Sequence, residues 1–240
     1  MSRPFLTARW ESLLLANYAV PAGVLEPLVP AGTTLDLWQG EALVSVVGFL
    51  FKDTRLAGVP VPFHRHFEEV NLRFYVCREV DGEVRRAVTF VREIVPRRAI
   101  AAVARWAYNE PYIAAPMDHH VDLLPERGGH VSYAWVHGGE KFVLSAQAKG
   151  PAQFAEPGSE AEFITEHYWG YTRQRDGGTV EYQVEHPSWR LWTAENVGFG
   201  GDTTELYGSA FADVLAGPPR SAFLAVGSEV AVHVGRRIKV

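Results

Sequence analysis

The stretch Phe67-Glu68-Glu69-Val70-Asn71-Leu72-Arg73-Phe74-Tyr75-Val76-Cys77-Arg78 decides how this chain folds. Side chains on a strand alternate between faces with a period of two, and this segment sorts cleanly on that period. Val70, Leu72, Phe74 and Val76 make one apolar face, while Phe67, Glu69, Asn71, Arg73 and Tyr75 make the other. It reads as a strand with one dry face and one mixed face, and the mixed face either meets solvent or lines a cavity.

Further strands are expected within 5–18 and over 34–38, 42–52, 85–95, 130–136, 142–148, 180–185 and 230–234. Three short helices punctuate them. One runs 24–28, between Pro21 and Pro30. A second runs 97–108, opened by Pro96, with Ile100, Val103 and Ala107 at helical spacing. A third starts at the capping-box pattern Ser159-Glu160-Ala161-Glu162 and ends near Trp169, with Gly170 available as its cap. Strands in runs with few helices between them indicate a β-rich α+β fold of mostly antiparallel strands, not a regular βαβ series.

The 240 residues carry no repeat and no biased linker, so residues 1–240 read as a single domain. Hydrophobic content of 47% excludes a disordered or collagenous chain. A net charge of −5 supplies no global basic field, so neither nucleic acid nor an anionic membrane is expected as a partner. The longest apolar run, 42–51, is too short to cross a bilayer, and no signal peptide is visible at the start. Cys77 is the only cysteine, which fits a reducing compartment and a cytoplasmic protein.

Chemistry is expected beside the deciding strand. The 85–95 segment is apolar on both faces yet carries Arg92 and Glu93, and charges in such a strand must be paired or face a polar pocket. Straight alternation puts Arg92 on the face of Phe90 and Ile94, and Glu93 on that of Val91 and Val95. Arg97 and Arg98 stand at the start of a helix, where the dipole disfavours cations unless an anion is bound between them. Either these arginines pair with carboxylates elsewhere, or with Arg92 they form a carboxylate or phosphate site.

Weaker groupings are His64, His66 and Glu68, which alternate but lack a fourth metal ligand, and His186, which reads as a packing residue between a strand end and Trp189 and Trp192 or else as a general acid or base. No metal site and no cofactor are expected. There is no nucleotide-binding glycine fingerprint and no nucleophile elbow.

Four segments carry a resemblance: Pro62 through Arg73; Arg92-Glu93-Ile94-Val95-Pro96-Arg97-Arg98; Tyr108-Asn109-Glu110-Pro111-Tyr112; and His186-Pro187-Ser188-Trp189. They resemble the YqjF-like family of bacterial proteins, domain of unknown function 2071, over nearly the whole chain. That family is similar in turn to the acetoacetate decarboxylase-like fold, which implies a cone or barrel of mostly antiparallel strands around a pocket. In the decarboxylases a Gly-Arg-Glu element precedes Pro-Lys-Lys, where a lysine forms a Schiff base, and an earlier strand glutamate joins the active site. By this resemblance Arg92-Glu93 matches the Arg-Glu pair, Glu69 the strand glutamate, and Pro96-Arg97-Arg98 the Pro-Lys-Lys element with both lysines replaced. Arginine stays protonated and cannot form an imine.

Two functional classes remain open from the sequence. One is a protein that binds a small anionic organic molecule through Arg92, Arg97, Arg98, Asn71, Arg73 and Tyr75, with Glu69 or Glu93 as acid or base if a reaction without an imine follows. The other is a non-catalytic binding or interaction module that kept the pocket and lost the lysine. Aromatic-rich strands are compatible with a homodimer.

Overall fold

A computed structural model describes residues 4–97, 99 and 109–239. The strands are Leu6–Val20 (β1), Thr34–Leu35 (β2), Ala42–Leu56 (β3), Val59–Pro60 (β4), Phe67–Val80 (β5), Glu83–Val95 (β6), Tyr112–Ala114 (β7), Met117–Leu124 (β8), Gly128–His137 (β9), Glu140–Lys149 (β10), Gln153–Phe154 (β11), Trp169–Arg173 (β12), Thr179–Glu185 (β13), Arg190–Thr193 (β14), Glu195–Gly200 (β15), Ser221–Val232 (β16) and Arg236–Arg237 (β17).

The long strands pair in the order β16-β1-β3-β5-β6-β12-β13, and β13 pairs back onto β16 at Val184↔Val232 and Glu185↔Ala231. The sheet therefore closes into a barrel, which removes the unpaired edges an open sheet would present. All of these pairings are antiparallel except β6 with β12, which is parallel and brief, at Trp169↔Ala87 and Gly170↔Val88. The β-rich, mostly antiparallel fold expected from the sequence is the fold observed.

The period-two split of β5 sets the two sides of the barrel wall. Val70, Leu72, Phe74 and Val76 face outward into a core shared with Leu14, Ala16, Val44 and Val46. A second sheet, ordered β15-β10-β9-β8, covers this outer face with Tyr133, Trp135, Phe142 and Leu144. The fit is close at Gly48, where a Cβ would lie 2.5 Å from the Tyr133 ring. The opposite face of β5 turns inward, where Phe67 and Tyr75 join Leu13, Leu15, Val47 and Phe49 in a second core inside the barrel.

The first predicted helix is present as an α-turn, Ala22–Leu25, continued by the 3-10 turn Glu26–Leu28. The second, 97–108, lies outside the described residues, apart from Arg97 and Ala99. The third is shorter than predicted, at Glu160–Thr165. Ser159 Oγ accepts from the Glu162 amide, and the Glu162 carboxylate accepts from the Gly158 amide, one residue earlier than the capping box requires. Trp169 and Gly170 belong to β12, not to a helix end. A Cβ on Gly170 would lie 2.1 Å from the Tyr182 ring, so glycine is needed there to let that ring cross the strand. Two helices not foreseen, Thr203–Tyr207 and Ser209–Ala216, bring Leu206, Tyr207, Phe211 and Leu215 to the outer core. Asp202 caps the first of them by accepting from the Thr204 amide.

Candidate functional site

The barrel encloses a cavity of about 260 Å³, and every barrel strand contributes to its wall. Most of the wall is apolar, with Trp10, Phe49, Phe51 and Phe90 among its aromatic side chains. Polar groups are few and grouped. Glu69, Asn71 and Arg73 come from successive inward positions of β5, and Glu93 from the facing position on β6, in register with Asn71. Glu110, Tyr112, Thr165, His167 and Tyr182 stand with them on the wall, and Thr54, His64 and His186 also line the cavity.

A bulge in β6 explains why Glu93 and not Arg92 points inward. Arg73 pairs with Phe90, but the next register position pairs Leu72 with Arg92, so Val91 is the extra residue. One inserted residue exchanges faces for everything that follows. Arg92 is thereby turned to the outer face beside Leu72, near enough to Tyr207 for its charge to act on that phenol, and it does not line the cavity. This corrects the expectation that Arg92 shares a face with Phe90. Arg97 is exposed at the end of the strand, and Arg98 lies outside the described residues. Tyr75 is buried deeper in the barrel, hydrogen-bonded to Ser45 Oγ, and is not part of the cavity wall.

The three glutamates are buried and have no cation bonded to them among the described residues. Glu69 accepts from Asn71 Nδ2 at 3.1 Å and from Tyr112 Oη at 2.9 Å. Glu110 accepts from Tyr182 Oη at 3.0 Å and from Thr172 Oγ1. Burial pushes the carboxyls of Glu69 and Glu110 up to about 7 despite these hydrogen bonds. Glu93 is raised well above its ordinary value, by burial first and then by Glu110 and Glu69 beside it. At neutral pH the cluster therefore shares protons and is far from three full negative charges.

On the same wall His167 is almost wholly enclosed, and its Nε2 lies 3.1 Å from Asp36 Oδ2. Arg86 Nε donates to the same oxygen at 2.7 Å. Burial, outweighing the hydrogen bond to Asp36, lowers His167 to about 4, so the imidazole is neutral at pH 7. Burial pushes the Asp36 carboxyl up, but the hydrogen bonds and charges of His167 and Arg86 leave it below its ordinary value and ionised.

Several buried polar atoms on this wall have no protein partner: Asn71 Oδ1, Arg73 Nε, Glu93 Oε2 and His167 Nδ1. Buried groups of this kind are nearly always bonded in folded proteins, so a cluster of exceptions on one cavity marks a place where something else supplies the partners.

The histidine grouping read from the sequence is dispersed. His64 and His66 precede β5, and only Glu68 lies on it. His66 Nδ1 accepts from the Asp53 amide, while Glu68 pairs with His119 at 2.6 Å. His186 stacks on Trp189 with ring centroids 4.2 Å apart and lines the cavity; Trp192 instead packs in the outer core. Among the described residues no group of three or more His, Cys, Asp or Glu side chains could hold a metal ion, and no helix is long and apolar enough to cross a membrane.

Sequence reasoning placed Glu69, Glu93, Asn71 and Arg73 together but missed Glu110, Tyr112, His167 and Tyr182. Glu110 and Tyr112 stand in one of the quoted motifs, and an acid next to Pro111 outside any strong strand pattern was the available signal. His167 and Asp36 have no local signature, because 131 positions separate them.

The chain is similar in sequence and in fold to known proteins. The model of a family described as an uncharacterized conserved protein, DUF2071, matches residues 7–229. The uncharacterized protein YqjF of Bacillus subtilis is 30% identical over 191 residues, covering 78% of this chain and 74% of that protein. Acetoacetate decarboxylase from Legionella pneumophila superposes with a TM-score of 0.70 at 12% identity, covering 98% of this chain and 87% of the other. The enduracididine biosynthesis enzyme MppR, complexed with pyruvate, superposes with a TM-score of 0.68 at 14% identity, covering 100% and 92%. At such low identity the structures establish the shared architecture, and the sequence matches establish the rest: this chain belongs to the DUF2071 family, on the fold of acetoacetate decarboxylase.

Proposed function

We propose that this protein binds a small carboxylic acid in the barrel cavity, with Arg73 as its charged anchor and Glu69, Glu93 and Glu110 as a proton-sharing cluster beside the bound molecule. The observation that carries this reading is the state of Arg73. It lines the cavity, makes no ion pair among the described residues, and spends one hydrogen bond, from Nη2, on the Ile164 carbonyl at 3.1 Å while its Nε stays unpartnered. A guanidinium in a largely apolar wall, with no carboxylate bonded to it among the described residues, favours an anion as its partner. The pyruvate complex of MppR, which shares the fold, supports a small carboxylate as the ligand class.

The carboxyl cluster gives the site acid-base capacity near neutral pH, the range in which general catalysis is most effective. None of the lysines, Lys52, Lys141, Lys149 and Lys239, lines the cavity, which supports chemistry or binding without an imine. The anchor expected from the sequence, Arg92 with Arg97 and Arg98, is replaced in this reading by Arg73.

Thermal unfolding in the presence of phenylacetate, hexanoate or pyruvate, each against its neutral amide, tests the reading. At least one acid should raise Tm where its amide does not, and Arg73→Gln should weaken that acid's binding about tenfold or more. If no acid raises Tm, or Arg73→Gln binds as tightly as the parent, the carboxylate site is wrong.

A further inference from the structure

We propose that the ligand of this cavity is a 2-hydroxy carboxylic acid with an apolar substituent, whose hydroxyl donates its hydrogen to His167 Nδ1 while its carboxylate lies on Arg73. The inference rests on the carboxylate reading above and adds to it the second functional group of the ligand.

The pair His167 and Asp36 fixes which atom is on offer. An ionised aspartate can only accept, so the His167 nitrogen facing it, Nε2, carries the hydrogen, and the other nitrogen, Nδ1, presents a lone pair. Arg86, bonded to the same aspartate oxygen, keeps Asp36 charged and so holds that tautomer in place. Nδ1 is buried, has no partner in the protein, and belongs to a residue on the cavity wall. It therefore calls for a hydrogen-bond donor from the ligand, and neither a simple carboxylate nor a ketone supplies one.

The spacing of the two groups points to adjacent positions on a small molecule. Arg73 and His167 both abut the ring of Tyr75, with the guanidinium carbon 5.6 Å and the imidazole centroid 4.7 Å from its centre. Arg73 also donates to the carbonyl of Ile164, three residues before His167. A carboxylate held by the first group leaves the carbon next to it as the nearest place for a hydroxyl that reaches the second. The remaining wall is aromatic and aliphatic, which accounts for the apolar substituent.

Calorimetry with (R)- and (S)-mandelate against phenylacetate, which differs only by lacking the hydroxyl, tests the inference. One mandelate enantiomer should bind about tenfold or more tighter than phenylacetate, because a site built around a hydroxyl discriminates against its absence. In His167→Phe, which keeps a ring against Tyr75 and Phe163 but has no acceptor in place of Nδ1, the ratio should fall to about one while phenylacetate affinity stays within about threefold. His167→Leu, which also lacks an acceptor, should abolish the preference as well, and covers the case in which the phenylalanine variant fails to fold. Phenylacetate and mandelate binding equally, or a preference that survives both substitutions, overturns the hydroxyl inference and leaves the carboxylate site standing. Binding of neither acid overturns both.

Discussion

Two regions of the barrel shield carboxylates from solvent and treat them in opposite ways. Glu181 on β13 is fully enclosed and receives Arg85 at 2.8 Å, Arg236 at 2.9 Å, Arg78 at 3.4 Å and the Tyr171 hydroxyl at 2.7 Å. Burial pushes its carboxyl up, but these donors outweigh that and hold it below the ordinary range. Glu69, Glu93 and Glu110, also shielded from solvent, meet hydroxyls, an amide and one another, and their carboxyls are raised. The difference lies in the partners as well as in depth, for Glu181 sits beneath an exposed arginine and the cavity glutamates lie further from the surface. Glu181 is a structural clamp joining β5, β6, β13 and β17, whereas the cavity glutamates are left able to exchange protons.

The sharpest break between the regions should come from deleting a charge in each. Glu181→Gln strands Arg85 and Arg78 around a neutral side chain, and the protein should lose about 3–5 kcal/mol in denaturant unfolding at pH 7. Glu93→Gln should be neutral or stabilising, because it removes a group whose ionisation the fold opposes. Comparable losses at both positions would mean that the cavity glutamates are paired as firmly as Glu181.

The pH dependence separates the regions next. Between the ordinary value of 4.5 and about 7, native Glu69 and Glu110 hold protons that the unfolded chain has released, so their contribution to stability falls as pH rises through that range. His167 acts in the opposite direction. Its native value of about 4 lies below the ordinary 6.5, so its contribution is present above 6.5 and is lost as pH falls through 4. From pH 6.5 to 8.5 the carboxyls act alone, and stability should drop by about 1–3 kcal/mol. Glu110→Gln should flatten that slope, and a slope unchanged in the variant would remove Glu110 from the proton-sharing group.

How much of this was legible beforehand depended on whether the information was local. The two faces of β5 could be read directly, because period-two alternation is written in consecutive residues, and it brought Glu69, Asn71 and Arg73 to the correct side. The bulge at Val91 could not be read, since a bulge is a property of two paired strands, and it exchanged the roles of Arg92 and Glu93. β12 was hidden behind a helix-cap reading of Gly170, whose actual requirement is the Tyr182 ring lying against it. Asp36 and His167 meet because β2 pairs with β5 and β12 with β6, and neither pairing is written in consecutive residues.

Gly170→Ala should have a smaller effect. The new methyl group pushes Tyr182 off β12 and away from Glu110, which costs about 1–3 kcal/mol by overpacking. Losing that hydrogen bond also raises Glu110 further, so the midpoint of the pH-dependent stability change should move upward. A variant as stable as the parent with the same midpoint would show that Tyr182 does not set the state of Glu110.

The smallest expected effect is none, and it tests whether the cavity carboxyls work without an imine. Incubation with acetoacetate or pyruvate followed by borohydride should leave the intact mass unchanged. An imine requires a neutral amine at the ligand, and a lysine becomes neutral near pH 7 only when it is desolvated or set beside another cation. Lys141, Lys149 and Lys239 are exposed, and Lys149 is further held in its charged form by the hydrogen bond from its Nζ to Glu195. Lys52 is half-buried on β3 but outside the cavity wall. Arg73, which lines the cavity, is a guanidinium and offers no neutral amine. A reduced adduct mapped to Lys52 would mean that the barrel opens to bring a lysine inward, and the proton-sharing glutamates would then be partners of a nucleophile and not the reactive groups themselves.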